Sequence, residues 1–165
     1  MNYFSDKKGF TLLVSSLIAS LMLVVGLAIF NISFKEIQLS ITARDSQLAF
    51  YAADAGLECA LYWDFAHPTF PESVFATSTN YLGTVNPSIV CAGADISSTW
   101  DISNPSPTIN SATTRFTVSL ANGTCALVSI EKSGSPSVTR VESRGQTLCG
   151  TNSPRRIERA LRAKY

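Results

Sequence analysis

The residues of this sequence with the most reactive side chains are four cysteines and one histidine. The cysteines are Cys59, Cys91, Cys125 and Cys149, and the histidine is His67, next to Pro68. A thiol with an imidazole nearby can act as a nucleophile with its base. All four cysteines, however, follow a charge-free apolar segment that predicts export, and exported thiols usually pair as disulfides. We therefore expect two disulfides, and we expect His67 to be a capping or exposed residue rather than a base or a metal ligand.

No other sequence pattern points to catalysis. The chain contains no phosphate-binding glycine loop and no cysteine pair at zinc-site spacing. Its formal net charge is +1, which gives no bulk attraction to nucleic acid. We predict a protein that is not an enzyme and that needs no cofactor and no metal.

Charge is unevenly distributed along the chain. Residues 10–110 carry eight acidic and two basic side chains, whereas residues 111–165 carry nine basic and three acidic ones. The basic segment 155–164 has five basic residues and could contact the phosphates of DNA. No aromatic residue is interleaved there to stack on bases. The favoured interpretation is that these arginines complement acidic helix residues of the same or a neighbouring subunit, and DNA binding is the less favoured one.

The first structural element that the sequence predicts is an apolar segment, residues 10–34, which is long enough to cross a membrane. No charged side chain occurs from Gly9 to Phe34, and a helix of this length extends about 37 Å. Lys7 and Lys8 precede the segment, which predicts a cytoplasmic amino end and places the chain after Phe34 outside. A plain signal anchor or secretory signal is the simplest interpretation. The apolar segment, however, continues into a polar helical pattern without a cleavage-site pattern.

The junction Lys8-Gly9-Phe10-Thr11-Leu12 carries the most specific motif. It resembles the leader junction of type IV pilins and pseudopilins. The resemblance implies that residues 1–9 are a leader, that a prepilin peptidase cuts after Gly9, and that the new amino group of Phe10 is methylated. Glycine suits such a site because the missing side chain lets a protease approach the backbone. Residues 49–58 are also similar to the helix of PilX-type minor pilins.

One position departs from the pattern of this family. Most pilins carry a glutamate at the fifth mature position, where it pairs with the terminal amine of a neighbouring subunit, but this chain has Val14 there. A buried charge without its partner is costly. The departure resembles the tip pseudopilin of type II secretion, so we expect a minor subunit near the tip of a filament.

Residues 35–66 continue the helix with two apolar stripes. The first stripe is Ile37, Ile41, Leu48, Tyr51, Ala52, Ala55, Cys59 and Tyr62, and the second stripe is Leu39, Phe50, Leu57 and Leu61. A polar strip lies between them, formed by Glu36, Gln47, Asp54 and Glu58. We expect the first stripe to carry the sheet. The second stripe would pack against neighbouring subunits or, alternatively, lie under a loop of the same domain.

Residues 67–165 predict a globular domain of loop and sheet. Pro68 and Pro71 end the helix, and residues 67–112 form a long connecting region. From Thr113 onward, alternation of apolar and polar residues predicts strands near 113–120, 125–131 and 138–143, with a hairpin turn at Asn122-Gly123. Residues 155–165 suit a strand or a helix, and we predict a strand. The fold is therefore predicted to be α+β, with a long N-terminal helix and an antiparallel sheet of three or four strands packed on its second half.

This topology ranks the three pairings that four cysteines allow. If the strands near 125–131 and 138–143 pair across the turn at Gly134, Cys125 lies close to Cys149. Cys59, on the first stripe, and Cys91, in the loop that crosses the helix, then remain. We favour the disulfides Cys125–Cys149 and Cys59–Cys91.

These features together predict a minor subunit, at the tip or initiating assembly, of a type IV pilus or related pseudopilus. Its partners would be other pilin subunits, the prepilin peptidase, the pilus assembly platform and, through a single pass, the membrane. It would lie in the inner (cytoplasmic) membrane before assembly and in an extracellular pilus or at the cell surface afterwards. The alternative is a single-pass membrane-anchored surface adhesin or DNA-binding receptor.

Overall fold

The structure, a computed structural model, describes residues 7–66, 73–75, 89–106, 111–134, 138–150 and 156–165. Its longest element is the helix α1 (Lys7–Leu61), which continues as a π-helical turn over Tyr62–Ala66. The chain divides into two compact units, Met1–Ala43 and Arg44–Tyr165. The described part of the first unit is helix alone, and the second unit contains the end of α1 and every described strand.

The helix in the first unit satisfies its own polar groups. No proline occurs between Lys7 and Leu61, so the backbone hydrogen bonds of α1 are not interrupted. The hydroxyls of Ser15, Ser16 and Ser20 each donate to the backbone carbonyl three residues earlier, at 2.8–2.9 Å. These serines therefore need no partner outside the helix, as a lipid environment requires.

The described residues of the second unit form seven strands in two sheets. The strands are β1 (Val90–Cys91), β2 (Ala94–Asp95), β3 (Asp101–Ser106), β4 (Ser111–Ser119), β5 (Cys125–Ser133), β6 (Val138–Gln146) and β7 (Glu158–Lys164). β1 and β2 pair with each other, and β3 to β7 form an antiparallel sheet in sequential order. A short 3-10 helix, Ser97–Thr99, precedes β3.

The predicted α+β class is confirmed, and the large sheet has five strands instead of three or four. The additional strand β3 comes from the predicted connecting region, where a Pro-, Ser- and Asn-containing sequence gives little strand signal. β3 lies at the edge of the sheet, where a proline is tolerated. The C-terminal segment, whose sequence suits a strand or a helix and for which we predict a strand, forms the other edge strand, β7.

The hairpin between β4 and β5 turns at Asn122-Gly123, as the sequence predicts. Gly123 has a φ of +82°, and its amide donates to the Leu120 carbonyl at 3.0 Å. The amide of Thr124 donates to the side-chain oxygen of Asn122 at 3.1 Å. Glycine is favoured here because other residues rarely adopt a positive φ.

The core of the second unit lies on one face of the five-stranded sheet. Alternation buries even-numbered residues of β4 and odd-numbered residues of β6, with Gln146 at the end of β6 buried as well. Three rings stack there, with Phe75 5.3 Å from Trp100 and Phe116 5.8 Å from Trp100 between ring centroids. The largest of the fully buried side chains are Phe75, Ile89, Ile96 and Ile130.

The end of α1 packs on this face through small side chains, which we call the small-residue seam. The seam consists of Ala49, Ala52, Ala53, Gly56 and Ala60, all buried. A Cβ on Gly145 of β6 would overlap the backbone of Ala49 and Ala53, so only glycine fits this approach.

The prediction that the first stripe carries the sheet is wrong for its two tyrosines. Tyr51 and Tyr62 are 66% and 48% exposed, whereas Ala52 is buried. The buried face combines Ala52 of the first stripe with small residues that lie between the two stripes, because large side chains would hold the helix too far from the sheet. Phe50 of the second stripe is 45% exposed, so both edges of the seam keep large apolar side chains at the surface.

Candidate functional site

The apolar segment 10–34 exposes its large side chains along its whole length. Phe10 is 70% exposed, Leu21 58% and Phe30 67%. A monomeric soluble protein rarely exposes an apolar surface of this extent. By length and composition, α1 is long and apolar enough to cross a membrane. The segment is therefore suited to burial by lipid or by other apolar helices.

The residues of the predicted cleavage junction lie in the first turns of α1. Gly9 and Phe10 are both exposed, and a Cβ built on Gly9 would meet nothing within 4 Å. Val14 follows one turn later, is 37% exposed, and presents an apolar side chain.

The cysteines lie in the two pairs that the sequence favours. The Cα atoms of Cys59 and Cys91 are 5.8 Å apart, and those of Cys125 and Cys149 are 5.6 Å apart. Both separations are typical of disulfides. The first pair joins α1 to β1, and the second joins the start of β5 to the segment after β6. Cys125 reaches Cys149 because its register partner on β6 is Gln146, three residues before that cysteine.

A buried carboxylate, Asp64, lies where the π-helical turn meets the sheet. The ammonium group of Lys132 lies 2.7 and 2.9 Å from its two oxygens, and the Tyr165 hydroxyl donates to it at 2.6 Å. The Ser73 hydroxyl donates to the same carboxylate. Lys132 also donates to Thr139 at 3.2 Å. Only 2% of the Asp64 side chain and 9% of the Lys132 side chain are exposed, so the pair depends on these hydrogen bonds for its stability.

This Asp64 cluster connects the helix end to β5, β6 and the last residue of the chain. Burial raises the pKa of Tyr165 above its usual value, and the hydrogen bond to the Asp64 carboxylate raises it further. Sequence reasoning did not find the cluster. The available signal was Lys132, which continues the buried positions of Ala126, Val128 and Ile130 at period two.

The outer face of the sheet carries charged side chains on adjacent strands. Glu142 accepts hydrogen bonds from Arg144 and Arg162, each at 2.6 Å, and Glu131 accepts one from Arg140 at 3.3 Å. The hydrogen bond from Arg144, followed by that from Arg162, lowers the pKa of Glu142. In return, Glu142 raises the pKa of Arg144.

These charges surround a groove of about 420 Å³, which we call the outer groove. Its lining residues are Thr99, Arg115, Phe116, Thr117, Leu127, Val128, Ser129, Glu131, Arg140, Glu142 and Arg144. Arg115 lies on β4, and Arg140 and Arg144 lie on β6, with β5 between them. The groove thus offers guanidinium donors, carboxylate and hydroxyl groups, and the apolar side chain of Leu127. Within the described part of the chain, no three His, Cys, Asp or Glu side chains come together as a metal site would require.

The basic C-terminal segment finds partners other than the predicted ones. Arg162 binds Glu142 on the sheet, and Arg159 donates to the Ser46 hydroxyl at 2.8 Å. Within the chain, these two arginines therefore pair with residues outside the polar strip of the helix, because β7 lies beside β6 and the start of the second unit. Pairing with the polar strip of a neighbouring subunit stays a prediction. His67, Pro68, Pro71 and Arg155 lie outside the described residues.

Comparisons of the chain with known protein families, with curated proteins and with solved structures find no match. Function is therefore inferred from the residues and their geometry.

Proposed function

We propose that this protein is a minor subunit of a type IV pilus or a related pseudopilus, anchored first in the membrane and then in the filament by α1. One observation carries the proposal. A single helix includes the Lys8-Gly9-Phe10 junction, runs without charge to Phe34, and ends on an antiparallel sheet. The junction supplies the processing site, the apolar segment supplies the contact with lipid and subunits, and the sheet supplies the exported domain.

The charges and cysteines support the same orientation. Lys7 and Lys8 hold the amino end in the cytoplasm, and the domain after Phe34 then lies outside. Two cysteine pairs at disulfide separation suit an oxidising compartment on that side. The leader, residues 1–9, would be removed after Gly9 and Phe10 methylated before assembly.

Val14 supports a minor position in the filament. The subunit has no carboxylate at its fifth mature residue to pair with the terminal amine of a neighbour in an apolar core. Such a subunit is best placed at the tip, where no neighbour requires that pairing.

Mass spectrometry of the protein isolated from its own cells tests the processing step. We expect a chain that begins at Phe10 with one added methyl group. Gly9→Leu is expected to block cleavage, because its side chain hinders access to the backbone, whereas Gly26→Leu serves as the matched control inside the apolar segment. A mature chain that still begins at Met1 would favour a plain membrane anchor that binds ligands at the cell surface.

The position of labelled protein tests the minor-subunit assignment. We expect label at one end of isolated filaments, and we expect Val14→Glu to allow entry into the shaft because it restores the missing carboxylate. Uniform labelling of the shaft by the unmodified protein would contradict a tip position.

A further inference from the structure

The outer groove has two basic walls and a mixed floor. β4 carries Arg115 on one side, and β6 carries Arg140 and Arg144 on the other. Since neighbouring strands lie about 4.8 Å apart, the two walls are separated by roughly 10 Å. Its volume, about 420 Å³, lies within the range of small-ligand sites. The floor consists of residues of β5 between them.

The floor combines groups of different chemistry. Leu127 is 41% exposed and provides an apolar surface, Ser129 provides a hydroxyl, and Glu131 provides a carboxylate. Glu142 adds a second carboxylate, on β6. A ligand that fits must therefore offer an anionic group to the guanidinium groups, hydrogen-bond donors to the carboxylates and an apolar face to the floor.

We propose that the outer groove binds a carboxylate-bearing sugar, such as a uronic acid unit of an acidic saccharide. The sugar carboxylate would pair with arginine in the planar geometry that guanidinium groups favour. Its hydroxyls would donate to Glu131 and Glu142, and the carbon face of the ring would lie over Leu127. This site is independent of filament assembly and goes beyond the proposed function.

The existing ion pairs hold the arginines in place for such a ligand. Arg144 contacts Glu142 through Nε, and Arg140 contacts Glu131 through Nη1. A guanidinium group has five N–H donors, so each arginine can contact a ligand while it keeps its glutamate.

A peptide fits this groove less well than a sugar. Extended peptides are usually recognised by backbone hydrogen bonds to a free strand edge. β5 and β6 are interior strands paired on both sides, and beside the groove the backbone of Thr117 on β4 already bonds to the Thr99 hydroxyl. The groove therefore offers side chains, which suit the hydroxyls of a saccharide.

A nucleic acid also fits less well. Phosphates and sugars of a nucleic acid backbone present mainly acceptors and offer few donors to Glu131 and Glu142, whereas the hydroxyls of a saccharide can donate to both carboxylates. The one aromatic lining residue, Phe116, is 2% exposed and presents no ring on which a base could stack.

Calorimetric titration of the full chain in detergent micelles tests the proposal. The probe is tetragalacturonate, and its methyl ester is the matched ligand, with the same rings and no charge. We expect the acid to bind at least about tenfold more tightly than the ester. The double variant R140Q/R144Q is expected to lose at least about tenfold in affinity, since each arginine supplies a charge-assisted hydrogen bond. Arg115→Gln, on the opposite wall, is expected to weaken binding as well.

The variant R44Q/R159Q removes the same charge outside the groove and is expected to bind as the unmodified protein does. Tryptophan fluorescence of each variant reports whether the domain remains folded. The proposal would be overturned if tetragalacturonate did not bind, or if R44Q/R159Q lost as much affinity as R140Q/R144Q. Equal or tighter binding of tetra-aspartate or of an oligothymidylate would also overturn it, since the groove would then be a general anion or nucleic acid site.

Discussion

The two parts of α1 on either side of Arg44 differ in what they do with apolar surface. Up to Ala43 the helix carries large apolar residues that remain exposed, from Val14 at 37% to Leu39 at 72%. After Arg44 its buried face is made of alanine and glycine, and Ala49, Ala53 and Ala60 have no exposed surface. The first part is built for burial by something outside the chain, and the second for very close contact with its own sheet.

Residue size, more than hydrophobicity, distinguishes the two parts of the helix. Large side chains maximise the area that lipid or neighbouring helices remove from water. Small side chains let the helix backbone approach β6 at Gly145. There the backbones of the helix and the strand make the dispersion contacts that larger side chains would otherwise make. The tyrosines and phenylalanines that flank the seam remain at the surface as a result.

Among the variants that test this difference between the two parts of α1, Gly145→Val is expected to lower the free energy of unfolding the most. Its side chain would overlap the backbone of Ala49 and Ala53, which cannot move aside as a flexible side chain can. We expect a loss of more than about 3 kcal/mol in the free energy of unfolding, at or beyond the upper end for an overpacked core. Urea unfolding followed by tryptophan fluorescence measures it, because both tryptophans lie in the second unit.

Gly26→Val is the matched control in the first unit, where a Cβ meets nothing within 4 Å. We expect it to leave the urea midpoint unchanged. If both variants lost the same stability, the seam would not be the close contact that separates the two parts of the helix.

Much of the fold could be predicted from local sequence signals. The charge-free run to Phe34 indicates the apolar helix, and alternation with Asn122-Gly123 indicates the hairpin of β4 and β5. β3 could not be predicted, since its strand state depends on pairing with β4 and its sequence gives no alternation. The choice of strand for β7 likewise depends on pairing, in this case with β6.

The sites were harder to predict because they depend on contacts distant in sequence. Asp64 and Lys132 are 68 residues apart, and only the three-dimensional structure shows that they pair. The outer groove combines residues from three strands and the turn at Thr99. The seam was missed because periodicity analysis gives most weight to large apolar residues, whereas alanine and glycine form the buried face.

Lys132→Met tests the buried ion pair of the second unit. The apolar segment 10–34, by contrast, contains no charged residue. Among the described residues, the change leaves the buried Asp64 carboxylate with hydroxyl donors alone, from Ser73 and Tyr165. We expect a loss of about 3 kcal/mol, the lower end of the range for removal of one partner of a buried ion pair. Lys35→Met, which removes the same group from an exposed helix position, is expected to change the unfolding free energy by less than about 0.5 kcal/mol.

The double variant Asp64→Asn/Lys132→Met makes the test specific. If the loss arises from an unpaired buried carboxylate, the double variant should recover part of it, and a double-mutant cycle gives the coupling. Additive losses in the cycle would contradict an interacting pair.

Glu142→Gln is expected to have the smallest effect, because its arginine partners are more than half exposed and exposed ion pairs contribute little. We expect a loss of less than about 1 kcal/mol at neutral pH. In the folded chain the pKa of Glu142 lies below its usual value of 4.5, because Arg144 and Arg162 stabilise the ionised carboxylate. The stabilising contribution of Glu142 is therefore fully present above a pH equal to that usual pKa, and it is lost as the pH falls through the lowered pKa.

Unfolding curves of the unmodified protein and of Glu142→Gln should converge in that acidic range and also at high salt. The control Glu36→Gln, in the first unit, should match the unmodified protein at neutral pH. A difference that stayed constant in strong acid would mean that the glutamine disturbs packing on the sheet instead of removing a charge, and the outer face would then resemble the seam more than a solvated surface.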